Sequence, residues 1–291
     1  MSSIRNSLSI CMVLGIISAV TPWTGAAAAT ITMHALASEP VLDGDGKDWA
    51  SVPTTRVALK PSRPSVQTAV DSVDIKGGVH GDYVYFLVEW QDSTEDKAHK
   101  PWVWDQKAGK YVTGPQREDR FAMQFAMEGD YSSDWLSGNV FKADMWHWKS
   151  VRSNPLGLAH DKHTIISTSK LALPKVRVFD SNNGDKVYIA RPSDAGDKLY
   201  KIKRYHKYDK DVMPKFRLAK VPPKGSAADV EVKGIWNDGK WCLEIRRKRD
   251  TGHVNDDVVF PSTGTVVGGI AIYDHSVDDD HVVSDNLVFQ F

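Results

Sequence analysis

Apolar side chains recur at every second position in several short runs, and this period constrains the fold more than any other feature of the chain. In Arg120–Met127 the phenylalanines and methionines all fall on one face of an extended segment. Val84–Trp90 is rich in strand-forming residues and follows the turn Gly81-Asp82. Asp144–Lys149 alternates in the same way. These runs predict β-strands, each with one buried face.

The alternation in Asp144–Lys149 separates two kinds of side chain. Trp146 and Trp148 share one face of the predicted strand, whereas Met145, His147 and Lys149 share the other.

Further strands are predicted toward the C-terminus. Val230–Ile235 and Trp241–Arg246 flank an Asp-Gly turn, which is a strong hairpin signal. Val266–Tyr273 and Asn286–Phe291 are also strand-like, and long amphipathic helices are missing from the sequence. The predicted fold is therefore all-β with minor helix, an antiparallel β-sandwich.

The N-terminus is typical of an exported protein. Residues 1–29 contain one charged residue, Arg5, then a mostly apolar run over Leu8–Val20 and the small residues Ala26–Ala29. The apolar run is too short for a membrane span, and Pro22 follows it. We predict a cleaved signal peptide over 1–29 and a periplasmic mature protein without a membrane span.

Charge and cysteine content exclude several functions. The 37 basic and 37 acidic residues balance, so the chain has no overall basic field for nucleic acid. Of two cysteines, Cys11 falls in the predicted signal peptide and Cys242 remains. Neither C-x-x-C nor C-x-x-C-H occurs, so thiolate metal clusters and covalent haem attachment have no ligands.

Two polar stretches interrupt the strand pattern. Residues 91–118 carry Trp102 and Trp104, and residues 170–228 mix lysine, aspartate, tyrosine and proline. We predict one domain over 30–291 with an insertion at about 170–228. Such an insertion either covers a functional pocket or is a plain surface excursion.

Enzyme motifs are weak throughout. The sequence has no G-x-S-x-G elbow, no H-E-x-x-H helix and no glycine-rich phosphate loop, so no catalytic residue is predicted. Asp43, Asp45 and Asp48 resemble the start of a calcium loop, although Thr54 stands where an EF-hand needs glutamate. A structural Ca²⁺ there competes with a simple Asp/Gly turn.

Non-covalent haem needs an apolar slot and axial ligands such as histidine or methionine. Met127 ends an apolar strand face, and His147 lies between two tryptophans. Each also has a structural interpretation, core filling for Met127 and a hydrogen-bonded histidine for His147.

Several segments, in the same order along the chain, resemble the ethylbenzene dehydrogenase-type haem-binding domain family. That family includes the gamma subunits of ethylbenzene dehydrogenase, dimethylsulfide dehydrogenase, selenate reductase and chlorate reductase, and related cytochromes. Its fold resembles family 9 carbohydrate-binding and DOMON-like domains. The matching segments are Val41–Gly44 with Asp48-Trp49, Tyr83–Asp92, Glu118–Phe121, Ala143–Ser150 with Arg152–Gly157, and Val232–Arg246.

The resemblance implies a periplasmic sandwich that binds one haem b and transfers electrons without being an enzyme itself. His281 matches the family's axial lysine near the C-terminus. Met127 is the nearest methionine to the family's second ligand, and His147 is the alternative; loss of haem is a third possibility. Trp146 and Trp148 would pack near the macrocycle or the sheet interface.

The resemblance also implies partners. These are a molybdenum-containing catalytic subunit with an iron–sulfur subunit, or another periplasmic cytochrome. Lys149 and Arg152 would bind the haem propionates. The competing interpretation is a haem-free carbohydrate-binding module in which exposed Trp102 and Trp104 stack on sugar rings.

Overall fold

A computed structural model describes residues 28–277 and 280–291, so almost all of the predicted signal peptide, residues 1–29, lies outside the described residues. The described chain forms β-strands and three 3₁₀ turns and contains no α-helix. The prediction of an all-β fold is confirmed. Across these two ranges, no helix has the length and apolar character needed to cross a membrane.

Twenty strands are defined in chain order. They are β1 (Ala29–Ala35), β2 (Thr55–Ala58), β3 (Lys60–Pro61), β4 (Ser72–His80), β5 (Tyr83–Gln91), β6 (Trp102–Asp105), β7 (Lys110–Thr113), β8 (Arg120–Gly129), β9 (Phe141–Lys149), β10 (His160–Ser167), β11 (Arg177–Asp180), β12 (Lys186–Ala190), β13 (Tyr200–Ile202), β14 (Val212–Met213), β15 (Phe216–Leu218), β16 (Glu231–Asn237), β17 (Lys240–Lys248), β18 (Thr265–Tyr273), β19 (Val282–Val283) and β20 (Leu287–Gln290). The 3₁₀ turns are Lys47–Trp49, Asn154–Leu156 and Ser226–Ala228.

Two sheets form the sandwich and share strand β1. Sheet one has the order β11-β12-β10-β9-β8-β18-β20 and ends on Ala29–Thr32 of β1. Sheet two begins on Met33–Ala35 of the same strand and continues as β4-β5-β17-β16. Both pairings of β1 are parallel, whereas the other ladders are antiparallel. The sandwich is therefore antiparallel except along this shared strand.

Aromatic side chains fill the space between the sheets. Phe86 of β5 packs edge-on against Trp146 of β9, with ring centroids 5.9 Å apart. Trp90 of β5 lies 6.1 Å from Trp148 of β9, and Phe125 of β8 lies 4.8 Å from Trp146. All five belong to one buried cluster. Much of the aromatic content is thus explained by the contact between the sheets, where large rings bury the most apolar area.

The two polar stretches, residues 91–118 and 170–228, each form short strands. Within residues 91–118, β6 and β7 form a hairpin. Within residues 170–228, β11 and β12 extend the edge of sheet one, β14 adds to β6, and β13 pairs with β15. The second stretch is therefore partly continuous with the sandwich and partly folded over it.

Candidate haem-ligand site

The two faces of β9 divide as the alternation predicts. Trp146 and Trp148 point into the core between the sheets, where they are almost completely buried. Met145, His147 and Lys149 occupy the opposite, outer face of sheet one, and they are also buried. The outer face is covered because Tyr200 and Phe216 from the 170–228 stretch pack over this region.

A small residue beside His147 leaves room for an aromatic ring. Ala122 of β8 lies directly opposite His147, and its next neighbour in the sheet is Ala271 of β18. The phenol ring of Tyr273 reaches across this gap and stacks on the His147 imidazole, with centroids 5.9 Å apart and planes 25° apart. A larger side chain at position 122 would fill this space.

Tyr273 also contacts the other predicted imidazole ligand. The His281 ring stacks on Tyr273 with a centroid separation of 4.5 Å and an interplanar angle of 24°. His281 directly precedes β19, which pairs with the end of β18. The structure therefore brings His147 and His281 to one shared aromatic ring, although they lie far apart in the sequence.

His147 has a ring nitrogen that is available as a metal ligand. Its side chain is buried, with 8% of the residue exposed, and its Nε2 atom has no hydrogen-bond partner. Burial lowers the pKa of His147 well below the usual value, and the charges of Lys149 and Arg120 lower it further. The ring is therefore neutral at physiological pH, and a neutral imidazole is the form that binds metals.

Met127 lies elsewhere. It lines a cleft of about 590 Å³ together with apolar residues that include Ala126, Val258, Pro261 and Val266. His281 adjoins Val282, which pairs through Ile272 with Phe121, six residues before Met127 along β8. At the usual rise of a strand that separation is about 20 Å. The structure does not bring Met127 and His281 together.

The predicted propionate ligands already have partners. The Lys149 ammonium donates to the backbone carbonyl of His147 at 3.1 Å, and burial lowers the pKa of Lys149 well below its usual value. Arg152 forms an ion pair with the buried Glu118 and lies 5.2 Å from the Tyr200 ring centroid. The side chains of Lys149 and Arg152 both lie near His147, but each already contacts another group of the protein.

Two residues of this site were missed from the sequence. Tyr273 is the last residue of a predicted strand, and Arg120 is the first residue of another. The two pair across β18 and β8, and the Arg120 guanidinium lies 4.1 Å from the Tyr273 centroid. Only the register of β8 against β18 reveals this contact, and the register was not predictable from alternation alone.

The predicted calcium turn uses its carboxylates locally. Asp43 Oδ1 accepts the N–H of Asp45, and Asp45 Oδ1 accepts the N–H of Lys47, both at 2.9 Å. Asp48 Oδ2 accepts the N–H of Val41 at 2.9 Å. Among the described residues, the acidic groups close enough to share an ion do not include these three. Calcium at the turn stays a prediction.

Trp102 and Trp104 are half-buried, which corrects the expectation of exposed rings. The Trp102 indole donates to the Lys203 carbonyl at 2.6 Å, and the Lys215 ammonium lies 4.2 Å from its ring centroid. Trp104 packs edge-on against Tyr208 at 5.5 Å. The 170–228 stretch thus packs against both indoles.

Comparison with known proteins identifies the family. Residues 46–283 match the protein family described as ethylbenzene dehydrogenase. The chain belongs to this family, as the resemblance of its segments predicts. No curated protein matches the chain.

Solved structures with a similar arrangement include a family 9 carbohydrate-binding module from Caldicellulosiruptor kristjanssonii. Its glucose complex has a TM-score of 0.39 and 12% identity, covering 88% of this chain and 84% of that chain. Its cellotriose complex has a TM-score of 0.38 and 12% identity, covering 89% and 82%.

Proposed function

We propose that this protein binds one haem b non-covalently and transfers electrons as a non-catalytic subunit or partner of a molybdenum-containing oxidoreductase in the periplasm. The observation that carries the proposal is the buried imidazole of His147, neutral and without a partner at Nε2, linked through Tyr273 to His281. Family membership supports an oxidoreductase assembly. The leader-like segment at residues 1–29 supports the periplasm.

A haem in this protein would be held without covalent bonds. Cys242, the cysteine of the described chain, is buried in β17, and burial raises the pKa of its thiol to about 12. Such a thiol is unreactive. His147 and His281 would hold the iron, because imidazole nitrogen suits haem iron. The bound haem would supply one-electron chemistry.

The residues around His147 and His281 would control the one-electron chemistry of the haem. His147 is carried by β9, a strand paired on both sides, so its backbone position is fixed. His281 is carried by the segment between β18 and β19. Arg120 and Arg152 would place positive charge near the ligands, which would favour an anionic cofactor edge and raise the reduction potential. The covering residues Tyr200 and Phe216 exclude water.

The experiment is to express the full chain with its leader in cells supplied with haem, and to record absorption spectra before and after dithionite. A Soret band that shifts on reduction is the expected result. Protein that stays colourless after titration with haem would overturn the proposed function.

Ligand assignment needs separate variants. His147→Ala and His281→Ala should each lose six-coordinate low-spin haem, and added imidazole should restore the spectrum because it replaces the missing ligand. Met127→Leu is the matched control and should leave the spectrum unchanged. If Met127→Leu alters the spectrum while His147→Ala does not, haem occupies the Met127 cleft and the assignment is wrong.

A further inference from the structure

A surface of strong positive charge lies over the outer side of sheet one. Residues 198–224 contain ten lysines and arginines but two acidic residues, Asp209 and Asp211, although the whole chain has 37 of each charge. The positive charge of a neutral chain is therefore concentrated in this stretch. Together with one cation from the segment after β7, six residues define what we call the basic face: Arg117, Lys201, Lys203, Arg204, Lys215 and Arg217.

The alternation of side chains along β13 and β15 turns the basic face toward solvent. Tyr200 and Phe216 point inward, and their ring centroids lie 5.2 Å and 5.1 Å from the Arg152 guanidinium. Successive side chains of a strand point to opposite sides, so Lys201 and Arg217 point outward, and both are exposed. One layer of β-structure therefore separates these cations from the outer side of sheet one.

Cations of the basic face lie opposite one another across the two strands. Lys201 pairs in register with Arg217, and the backbone N–H of Lys203 donates to the carbonyl of Lys215 at 2.9 Å. Like charges directly opposite each other in an antiparallel pair destabilise a sheet. An arrangement that costs stability without a gain in packing is typical of a functional surface.

The neighbourhood of Lys215 also points to an anionic ligand. The Lys215 ammonium lies 4.2 Å from the Trp102 ring centroid. Burial lowers the pKa of Lys215, and the nearby charges of Arg117 and Arg204 lower it further. The Nε atom of Arg117 is buried and donates to no acceptor within the described residues. An approaching carboxylate would give this donor the acceptor that it lacks.

We propose that the basic face binds the acidic surface of a partner protein. Opposite charges steer such a partner and fix its orientation. Ile202 lies between Lys201 and Lys203 and is 55% exposed. An apolar side chain among cations suits a protein interface better than a nucleic acid or a lipid headgroup. The inference adds a docking surface to the proposed function, but it depends on the exposed charges and not on haem.

The position of the basic face would bring the partner close to the proposed haem ligands. A partner bound at Lys201 and Arg217 would lie above Tyr200 and Phe216, which cover the side of sheet one that carries His147. The partner would then be one thin layer of protein away from the proposed haem. This consequence alone rests on the proposed function.

The test uses the full chain purified without haem, so that failure of the haem proposal does not affect it. The probe is poly-L-glutamate, which carries the carboxylate groups of an acidic protein surface, and calorimetry measures its affinity. We expect binding that weakens about tenfold or more between about 50 and about 200 mM NaCl. Absence of binding at the lower salt concentration, or an affinity that salt does not change, would overturn the proposal.

Charge reversal locates the binding surface. Lys201→Glu should weaken poly-L-glutamate binding about fivefold or more. It should also raise the melting temperature slightly, because a glutamate opposite Arg217 replaces two like charges with an opposite pair. The double variant K201E/R217E should bind least and melt close to the unchanged protein, which separates loss of binding from loss of folding.

Lys248→Glu is the matched control, because Lys248 is exposed at the end of β17 and its reversal changes the net charge equally. It should bind nearly as well as the unchanged protein. Equal weakening in Lys201→Glu and Lys248→Glu would show that net charge, and not the basic face, binds the probe, and would overturn the proposal.

The class of partner is tested with two further probes, vesicles of phosphatidylglycerol and a single-stranded DNA oligonucleotide. Binding of either probe that is lost in Lys201→Glu, without binding of poly-L-glutamate, would overturn the assignment to a protein. It would identify a membrane surface or a nucleic acid instead.

Discussion

The carboxylate of Glu244 accepts the indole N–H of Trp49 at 3.0 Å, and both residues are buried. The same carboxylate accepts the backbone N–H groups of Asp43 at 2.9 Å and Gly44 at 2.6 Å. One side chain of β17 therefore fixes the turn near the start of the described chain. Two of the segments that resemble the family, far apart in sequence, meet through this acid.

We expect Glu244→Ala to destabilise the protein by about 3 kcal/mol, because three donors, two of them buried, would lose their acceptor at once. Glu244→Gln should cost less, since its amide oxygen still accepts. Urea unfolding followed by tryptophan fluorescence measures both. Equal stability of Glu244→Ala and the unchanged protein would refute this role for the acid.

Gly234 allows Trp148 to enter the core. A Cβ atom at position 234 would lie 2.7 Å from the indole, whose N–H donates to Asn154 at 3.0 Å. We expect Gly234→Ala to cost about 1–3 kcal/mol through overpacking. The exposed neighbour Lys233→Ala is the control and should change the free energy of unfolding very little. Similar melting temperatures for both variants would contradict this explanation.

Asp92 makes stability depend on pH. Its Oδ2 atom is buried without a partner, and burial raises the pKa of Asp92 from 3.8 to about 6, with further increases from Asp274 and Asp96. The folded state therefore keeps this proton to a higher pH than the unfolded state does. The contribution of Asp92 to the free energy of unfolding therefore falls as the pH rises from about 4 to about 6. It stays low at higher pH.

Asp92→Asn cannot ionise and keeps an oxygen for the Thr94 N–H, which Asp92 accepts at 3.1 Å. We expect it to be more stable than the unchanged protein by about 2–3 kcal/mol at about pH 8, and nearly equal at about pH 3. Melting curves over this range provide the measurement, with the exposed Asp82→Asn as control. Parallel pH profiles for Asp92→Asn and the unchanged protein would show that Asp92 is not the titrating group.

Arg247 and Arg246 are neighbours in β17 with opposite environments. Arg247 is buried, pairs with Asp144, and lies 4.9 Å from the Trp146 centroid. We expect Arg247→Met to cost about 3–5 kcal/mol, because it leaves buried carboxylates without a cation. Arg246→Met removes a partly exposed pair with Glu231 and should cost about 0–1 kcal/mol. Chemical denaturation compares the two, and equal losses would contradict the assignment of the large effect to burial.

Period-two alternation predicted the individual strands well. The run Arg120–Met127 is inside β8, Asp144–Lys149 is inside β9, and the Asp-Gly turn joins β16 to β17. These features depend on residues that are close together in the sequence, so the sequence alone predicts them. Strand β1 and its parallel pairings were not predicted, because a short strand is defined by partners far along the chain.

The candidate site was only partly predictable. Alternation placed His147 on the face opposite the tryptophans, and this is correct. The contact of His147 and His281 with Tyr273 depends on register across β8 and β18, which no local pattern encodes. Sequence position alone favours Met127, but the structure places it far from His281. The buried carboxyl groups of Asp144, Asp161 and Asp257 around Arg247 were not predicted, because they lie on separate segments of the chain.

The sharing of β1 between the sheets affects the order of folding. The first half of β1 pairs with β20, so this pairing cannot form until residues near 290 have been synthesised. Until then, the edge of β18 is exposed, and the loop to be closed is nearly as long as the chain. We therefore expect slow closure and a lasting demand for chaperones on the newly made polypeptide.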